Sequence, residues 1–322
     1  GGRLLVVADA GVVPSGLAPL LAAARPGSIT VVGADPASVD PQAVASTKDA
    51  LEAGWDDIVY FGSDAATIEA LGALLSARSL LCVVLGGARI DRRVKLDVGR
   101  VHYDFTRYIG TVGSDPAEAF THVPVNGEIR ENDRVAIIGA AGPMGLMHTV
   151  RTVSLGLDGV SVVGADVSDE RLANLAAVVN PTAAERGVPF EVVNSSATPL
   201  QPGYSYVTCL VPVPALLSQA VDLAGEGAIV NAFAGFPAGT LAELDLQGII
   251  ERGVFVIGTS GSEMSDMRTL LDKLETQALD TSISLDAVCG MAGFQDAIDA
   301  VNNRTSGGKI MVYPRLPDLG LI

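Results

Sequence analysis

One strand-turn-strand pattern is written twice in this chain. Arg3-Leu-Leu-Val-Val-Ala-Asp-Ala-Gly11 recurs as Arg134-Val-Ala-Ile-Ile-Gly-Ala-Ala-Gly142, and Val31-Val-Gly-Ala-Asp35 recurs as Val162-Val-Gly-Ala-Asp166, both at an offset of 131 residues. Further on, Gly86-Gly87 matches Ala234-Gly235, and Ile109-Gly-Thr-Val-Gly-Ser114 matches Ile257-Gly-Thr-Ser-Gly-Ser262, both at an offset of 148. Two registers, each kept within its own half of the repeat, predict a tandem pair of α/β folds with doubly wound parallel sheets. The difference between the offsets gives the second copy about 17 extra residues between its second and fourth strands.

Composition agrees with buried parallel sheets. Apolar residues make up 48% of the 322 residues and charged ones 18%, which suits large cores and excludes disorder. The net charge of −16 argues against nucleic acid or an anionic membrane as partner, since both would be repelled. Cys82, Cys209 and Cys289 lie far apart in apolar surroundings, so buried free thiols and a reducing cytoplasm are expected. No apolar run reaches the ~18 residues of a membrane span, and no basic-then-apolar signal opens the chain. Gly1-Gly2-Arg3 runs straight into a strand without an initiator Met, which points to a fragment whose N-terminal portion is absent.

Repeat one is expected over residues 1–121. Its strands fall at Leu4–Ala8, Ile29–Gly33, Ile58–Phe61, Leu80–Leu85 and Tyr108–Gly110, with helical spacing between them as at Ala65–Ser76. Pro124, the Asn126-Gly127 turn and the charges of 122–133 mark a boundary. Repeat two, over 122–280, has strands at Val135–Ile138, Val160–Gly164, Phe190–Val193, Tyr206–Leu210, Ala228–Ala232 and Val254–Gly258. Residues 281–322 form a surplus tail with a helix at Phe294–Asn302 and a strand at Lys309–Tyr313, and that tail should dock on something else.

Only repeat two keeps the chemistry of a cofactor site. Gly139-Ala-Ala-Gly142-Pro143-Met144-Gly145 follows a strand and opens the helical stretch Leu146–Leu155. A tight turn, a bare backbone and a helix N-terminus are what a pyrophosphate needs. Asp166 ends the next strand, where a carboxylate accepts hydrogen bonds from ribose hydroxyls. The same acid would repel a 2′-phosphate, so NAD is favoured over NADP. Arg171 either covers the adenine face or is a solvated helix residue. The alternative for the whole motif is a strand-helix turn whose glycines serve only packing.

The aligned turn of repeat one reads Ala8-Asp9-Ala10-Gly11-Val12-Val13-Pro14. Asp9 brings like charge, Val12 and Val13 crowd the approach, and Pro14 lacks an N–H. Repeat one is therefore read as a degenerate copy kept for structure or association. In repeat two, Val211, Gly235 and the Thr259-Ser260 turn follow three strands and would frame the nicotinamide half, unless they are plain connections.

These residues resemble the medium-chain dehydrogenases, the zinc-type alcohol and polyol dehydrogenases. The likeness rests on Asp133-Arg-Val-Ala-Ile-Ile-Gly-Ala-Ala-Gly-Pro-Met-Gly145, Ala165-Asp-Val-Ser-Asp-Glu-Arg-Leu172, Gly258-Thr-Ser-Gly261 and Gly307-Gly-Lys-Ile-Met-Val-Tyr313. It covers most of repeat two and the tail, with sorbose-phosphate reductase-like enzymes nearest in pattern. The resemblance implies NAD(P)-dependent interconversion of an alcohol and a carbonyl by hydride transfer. It implies a small alcohol or polyol, phosphorylated or not, as substrate, and a homo-oligomer paired through the edge of a cofactor-fold sheet. Repeat one would either replace or block that edge. It also implies that 281–322 belongs to a catalytic domain, which with its zinc ligands lies outside this chain. The isolated chain would then bind cofactor and turn over little. His102, His122 and His148 are scattered, and no three ligands converge for zinc.

The residues argue against a short-chain reductase. Lys48, Lys95, Lys273 and Lys309 are preceded at four residues by Val44, Asp91, Thr269 and Thr305, so no Tyr-x-x-x-Lys pair exists. The remaining alternative is a non-catalytic dinucleotide-binding regulatory or scaffold protein.

Overall fold

The computed structural model describes residues 2–258, 260–303 and 305–322. Repeat one supplies β1 (Arg3–Ala8), α1 (Leu17–Ala24), β2 (Ser28–Val32), β3 (Val44–Ala45), β4 (Trp55–Phe61), α2 (Ala65–Leu74), β5 (Leu75–Val84), β6 (Val94–Asp97), α3 (Val98–Tyr103) and β7 (Arg107–Thr111). Repeat two supplies β8 (Arg134–Ile138), α4 (Pro143–Ser154), β9 (Ser161–Asp166), α5 (Asp169–Arg186), β10 (Phe190–Asn194), β11 (Tyr204–Cys209), α6 (Pro214–Leu223), β12 (Ala224–Ala232), β13 (Leu241–Leu244), α7 (Leu246–Arg252) and β14 (Phe255–Ile257). The stretch after β14 adds α8 (Met264–Glu275), and the tail adds β15 (Leu285–Cys289), α9 (Phe294–Asn302) and β16 (Lys309–Val312).

Two six-stranded parallel sheets result, ordered β3-β2-β1-β4-β5-β7 and β10-β9-β8-β11-β12-β14. Each is the doubly wound order, doubling back at its first strand, as the repeat predicts. The strands are near-continuous apolar runs because both faces are covered by helices. In β1 all residues from Leu4 to Ala8 are buried, and Val6 pairs with Val31 on one side and Val59 on the other.

By contact density the chain divides into two compact units. One holds the chain up to Glu128 together with Pro202–Ser260; the other holds Ile129–Gln201 with Gly261–Ile322. The division falls inside repeat two, between β10 and β11, where a linear reading of the repeats sees no boundary.

Within the first unit, Leu4, Val6, Val31, Val59, Cys82 and Ile109 form the centre of one core. An element absent from the sequence reading is the antiparallel pair β6·β13. Each strand has only four residues with alternating burial, too short a run for period-two patterning to stand out.

Within the second unit, Ser168 caps α5 by accepting from the Arg171 N–H, and Gly187 ends it at φ 67°. The tail is folded on itself. Strands β15 and β16 run parallel, and Val288 and Ile322 exchange backbone hydrogen bonds of 2.9 and 3.0 Å. Helix α8 has a reciprocal capping box between Glu263 and Asp266, yet none of its residues is buried. Its Met267, Leu270, Leu271 and Leu274 lie exposed. No helix among the described residues is long and apolar enough to cross a membrane.

Candidate functional site

The turn between β8 and α4 is built for close approach. Gly139 adopts φ +84°, in the left-handed region that favours glycine, and its N–H and that of Ala140 are tied to the Ala165 carbonyl at 2.9 and 3.0 Å. Gly142 is the N-cap of α4, and Pro143 takes the first helical position, where its missing N–H costs nothing. A Cβ on Gly142 would meet only the Gly139 carbonyl, at 3.7 Å, so the outer face of the turn is bare. Gly145 has the other role: a Cβ there would collide with the Gly139 and Ala140 carbonyls, so this glycine lets helix and turn pack. The first intrahelical bond runs from Leu146 N–H to the Gly142 carbonyl at 2.8 Å. The N–H groups of Met144 and Gly145 precede it, at the positive end of a twelve-residue helix.

Asp166 ends β9 with its side chain almost wholly buried. Its Oδ1 accepts from the backbone N–H of Val167 at 2.8 Å and of Ser168 at 3.4 Å, and pairs with the Arg171 guanidinium. Its Oδ2 takes only a long bond of 3.3 Å from the Ala141 N–H, so lone pairs remain there for a hydroxyl. Arg171, with its side chain 41% exposed, is thus tied to this carboxylate and is not a free solvated residue. It neutralises the acid, and the charge argument against a 2′-phosphate is correspondingly weaker.

Beside this acid opens a cleft of about 920 Å³ lined by Ala141, Ser168, Arg171, Asn174, Asp286 and Ser306, among others. The tail residues here were not singled out from the sequence. Asp286 accepts from the Ser306 hydroxyl at 2.9 Å and from the Gly307 N–H at 3.2 Å. Lys309 Nζ lies 3.6 Å from Met144 Sδ, which brings a cation to the start of α4. The run Ser306-Gly-Gly-Lys309 is the only sequence signal that could have marked this turn.

In the first unit, Val211, Gly235 and Ser260 follow the neighbouring parallel strands β11, β12 and β14. Cys209 Sγ donates to the Val211 carbonyl at 3.6 Å, and Ala234 N–H bonds the Cys209 carbonyl at 2.9 Å, holding two of these strand ends together. Gly235 is exposed, while Val211 and Ser260 are half-buried. Thr259 lies outside the described residues. The three cysteines are buried free thiols, and burial pushes Cys82 up to about 12 and Cys209 up to about 11. Among the described residues no group of three His, Cys, Asp or Glu side chains stands close enough to hold a metal ion.

The aligned turn of repeat one is closed by its own side chains. The Tyr60 phenol, fully buried, donates to Asp9 Oδ2 at 2.8 Å and accepts from the Asp64 N–H at 3.2 Å. Burial foremost, with the Asp9 carboxylate adding to it, raises the phenol above its ordinary range. Helix α1 starts at Leu17, whereas the residue aligned with Pro143 is Val12. Asp35 is exposed and merely caps a short 3-10 turn by accepting from the Ala37 N–H at 3.1 Å.

No family model matches the chain. Two curated relatives cover 58% of it: "Uncharacterized protein YggP" of Escherichia coli (strain K12), 24% identical over 197 residues, and mannitol-1-phosphate 5-dehydrogenase of Aliivibrio fischeri, 25% identical over 203 residues. The matches take in 46% and 47% of these relatives, so the chain spans less than half their length. Among solved structures, 2R,3R-butanediol dehydrogenase of Bacillus subtilis superimposes with a TM-score of 0.46 at 16% identity, over 58% of this chain and 52% of that one. The one of these two curated relatives with a named activity is a polyol-phosphate dehydrogenase, which fits the resemblance read from the motifs.

Proposed function

We propose that this chain binds one nicotinamide dinucleotide through the Gly139–Gly145 turn and Asp166, as the cofactor-holding part of an oxidoreductase acting on an alcohol or polyol. The observation that carries the reading is the bare Gly142 face at a helix N-terminus with a buried carboxylate at the next strand end. A diphosphate would accept from the Met144 and Gly145 N–H groups, with Lys309 adding positive charge. Asp166 Oδ2 would accept from a ribose hydroxyl, and Arg171 would hold the carboxylate in place. Val211, Gly235 and Ser260 are the proposed wall for the nicotinamide, which supplies the hydride acceptor and donor when bound.

NAD is the proposed cofactor rather than NADP. Asp166 and Arg171 cancel in charge, leaving Lys309 as the nearby cation, too little for a further phosphate dianion. Zinc enters this proposal only through ligands beyond the described residues, because the donor set does not occur among them. The exposed apolar face of α8 and the exposed Phe294 and Val301 of α9 support a further domain docking on the tail. Substrate identity, phosphorylated polyol or simple alcohol, belongs to that further domain.

Titration calorimetry with NADH tests the reading: the expected stoichiometry is one per chain, lost in Gly142→Asp. A stoichiometry of two, or unchanged binding in that variant, would remove the site from the Gly139–Gly145 turn. Hydride transfer to a panel of polyols and their 5- or 6-carbon phosphates by the longest encoded product tests the activity.

A further inference from the structure

We infer that repeat one serves as a built-in partner: the two repeats join across an internal pseudo-twofold axis that passes through the Lys95–Glu243 pair. The argument comes from register. At the offset of 148, Leu96-Asp97 aligns with Leu244-Asp245, and Lys95 aligns with Glu243. The antiparallel pairing of β6 with β13 sets Lys95 opposite Glu243, Val94 opposite Leu244 and Leu96 opposite Ala242. Each residue of β6 therefore faces the counterpart of the residue equally far on the other side of Lys95, and only Lys95 faces its own counterpart. That is the pattern of an isologous, twofold contact, here made within one chain.

The elements that follow obey the same exchange. Asp97 caps α3 by accepting from the Arg100 N–H, and Asp245 caps α7 by accepting from the Gly248 N–H. Helix α7 presses Ile250 on Gly110 of repeat one, where a Cβ would come within 2.6 Å of Ile250 Cδ1. Helix α3 presses His102, the counterpart of Ile250, on Gly258, the counterpart of Gly110, where a Cβ would come within 2.8 Å of the His102 Cα. Each copy thus inserts the same helix position over the same glycine of the other. The buried His102 ring, through Nδ1, lies 3.1 Å from the Ala232 carbonyl, which adds a polar tie on one side of the axis only.

The residue on the axis shows why the pairing is between unlike copies. Two identical repeats joined this way would set lysine against lysine or glutamate against glutamate, a repulsion directly across a strand pair. Here Lys95 Nζ and a Glu243 carboxylate oxygen lie 3.7 Å apart. Repeat one keeps this face although its turn lacks a bare backbone, and the two axial residues carry opposite charge. The same contact sets the Tyr103 hydroxyl against Gly235, within 2.9 Å of where a Cβ would stand, so repeat one borders a strand end proposed for the nicotinamide.

Cysteine pairing on the axis separates an internal contact from one between chains. The native thiols are buried, and both axial side chains are more than half exposed, so substitution there should leave the fold intact. In the double variant Lys95→Cys/Glu243→Cys, mild oxidation should give an intrachain disulfide, running as monomer on a non-reducing gel with the mass loss of two hydrogens. The single variants should give no cross-linked dimer, because no second copy of the same position is in reach. Dimers from either single variant, dimers from the double variant, or a double variant that stays reduced would each overturn the inference.

Discussion

Gly142 and Gly11 hold the same aligned place in the two repeats, yet the chain around them differs at each point a diphosphate would touch. Around Gly142 the turn is bare, a twelve-residue helix begins at once, and the acid of the next strand is buried with one oxygen lightly used. Around Gly11 the helix starts only at Leu17, Asp9 occupies the turn, and Tyr60 locks that carboxylate in place. The residue aligned with Tyr60 in repeat two is Thr208, which carries no ring to reach a turn. The two copies share a sheet and differ in a handful of side chains. A fold of this kind thus offers a ligand crevice by topology alone, and the residues of the first turn decide whether it is used.

Breaking that difference should give effects of graded size. Gly142→Asp puts a carboxylate on the bare face without a steric clash, so NADH affinity should fall by about 100-fold or more, equivalent to about 3 kcal/mol, with an unchanged thermal midpoint. In repeat one, Val13→Asp, at the place aligned with Met144, adds a charge at an exposed position and should leave NADH binding where it was. Gly145→Ala forces a methyl group between helix and turn, and should cost about 1–3 kcal/mol of stability in denaturant titrations. Asp166→Ala removes the proposed ribose acceptor and should weaken NADH about tenfold while narrowing the NADH-over-NADPH preference; Asp35→Ala should do neither. Loss of NADH binding in Asp35→Ala would transfer the site to the wrong repeat.

The smallest effect concerns pH and lies on the helix behind the turn. Burial, with the Arg151 charge adding to it, pulls the partly buried His148 down to about 4 from an ordinary 6.5. The unfolded chain then takes up this proton before the folded one does, so stability falls as the pH drops from about 6.5 towards 4. In His148→Gln the thermal midpoint should decline less over that window. An identical decline in both proteins would assign the acid sensitivity elsewhere.

Much of this was legible in the sequence, for physical reasons. Buried parallel strands are written as unbroken apolar runs, so the strands of both large sheets, the exposed two-residue β3 excepted, fall where Val, Ile and Leu cluster, and the offsets of 131 and 148 order them. The Gly139–Gly145 turn was legible because close approach and left-handed backbone leave few residue choices. Side-chain partnerships across many residues were not. Nothing local says that Arg171 turns back on Asp166, that Tyr60 reaches Asp9 from 51 positions away, or that Ser306 and Asp286 frame the cleft. The β6·β13 pair was hidden because four alternating residues carry too little pattern, although Leu96-Asp97 and Leu244-Asp245 are spelled alike.

Crystals grown with saturating NAD+ offer the most direct measurement. Continuous density for a diphosphate along the Met144 and Gly145 amides, with ribose against Asp166 and nothing at Asp9–Pro14, is the predicted result. Density in repeat one, or a Gly139–Gly145 turn left empty at full occupancy elsewhere, would contradict it.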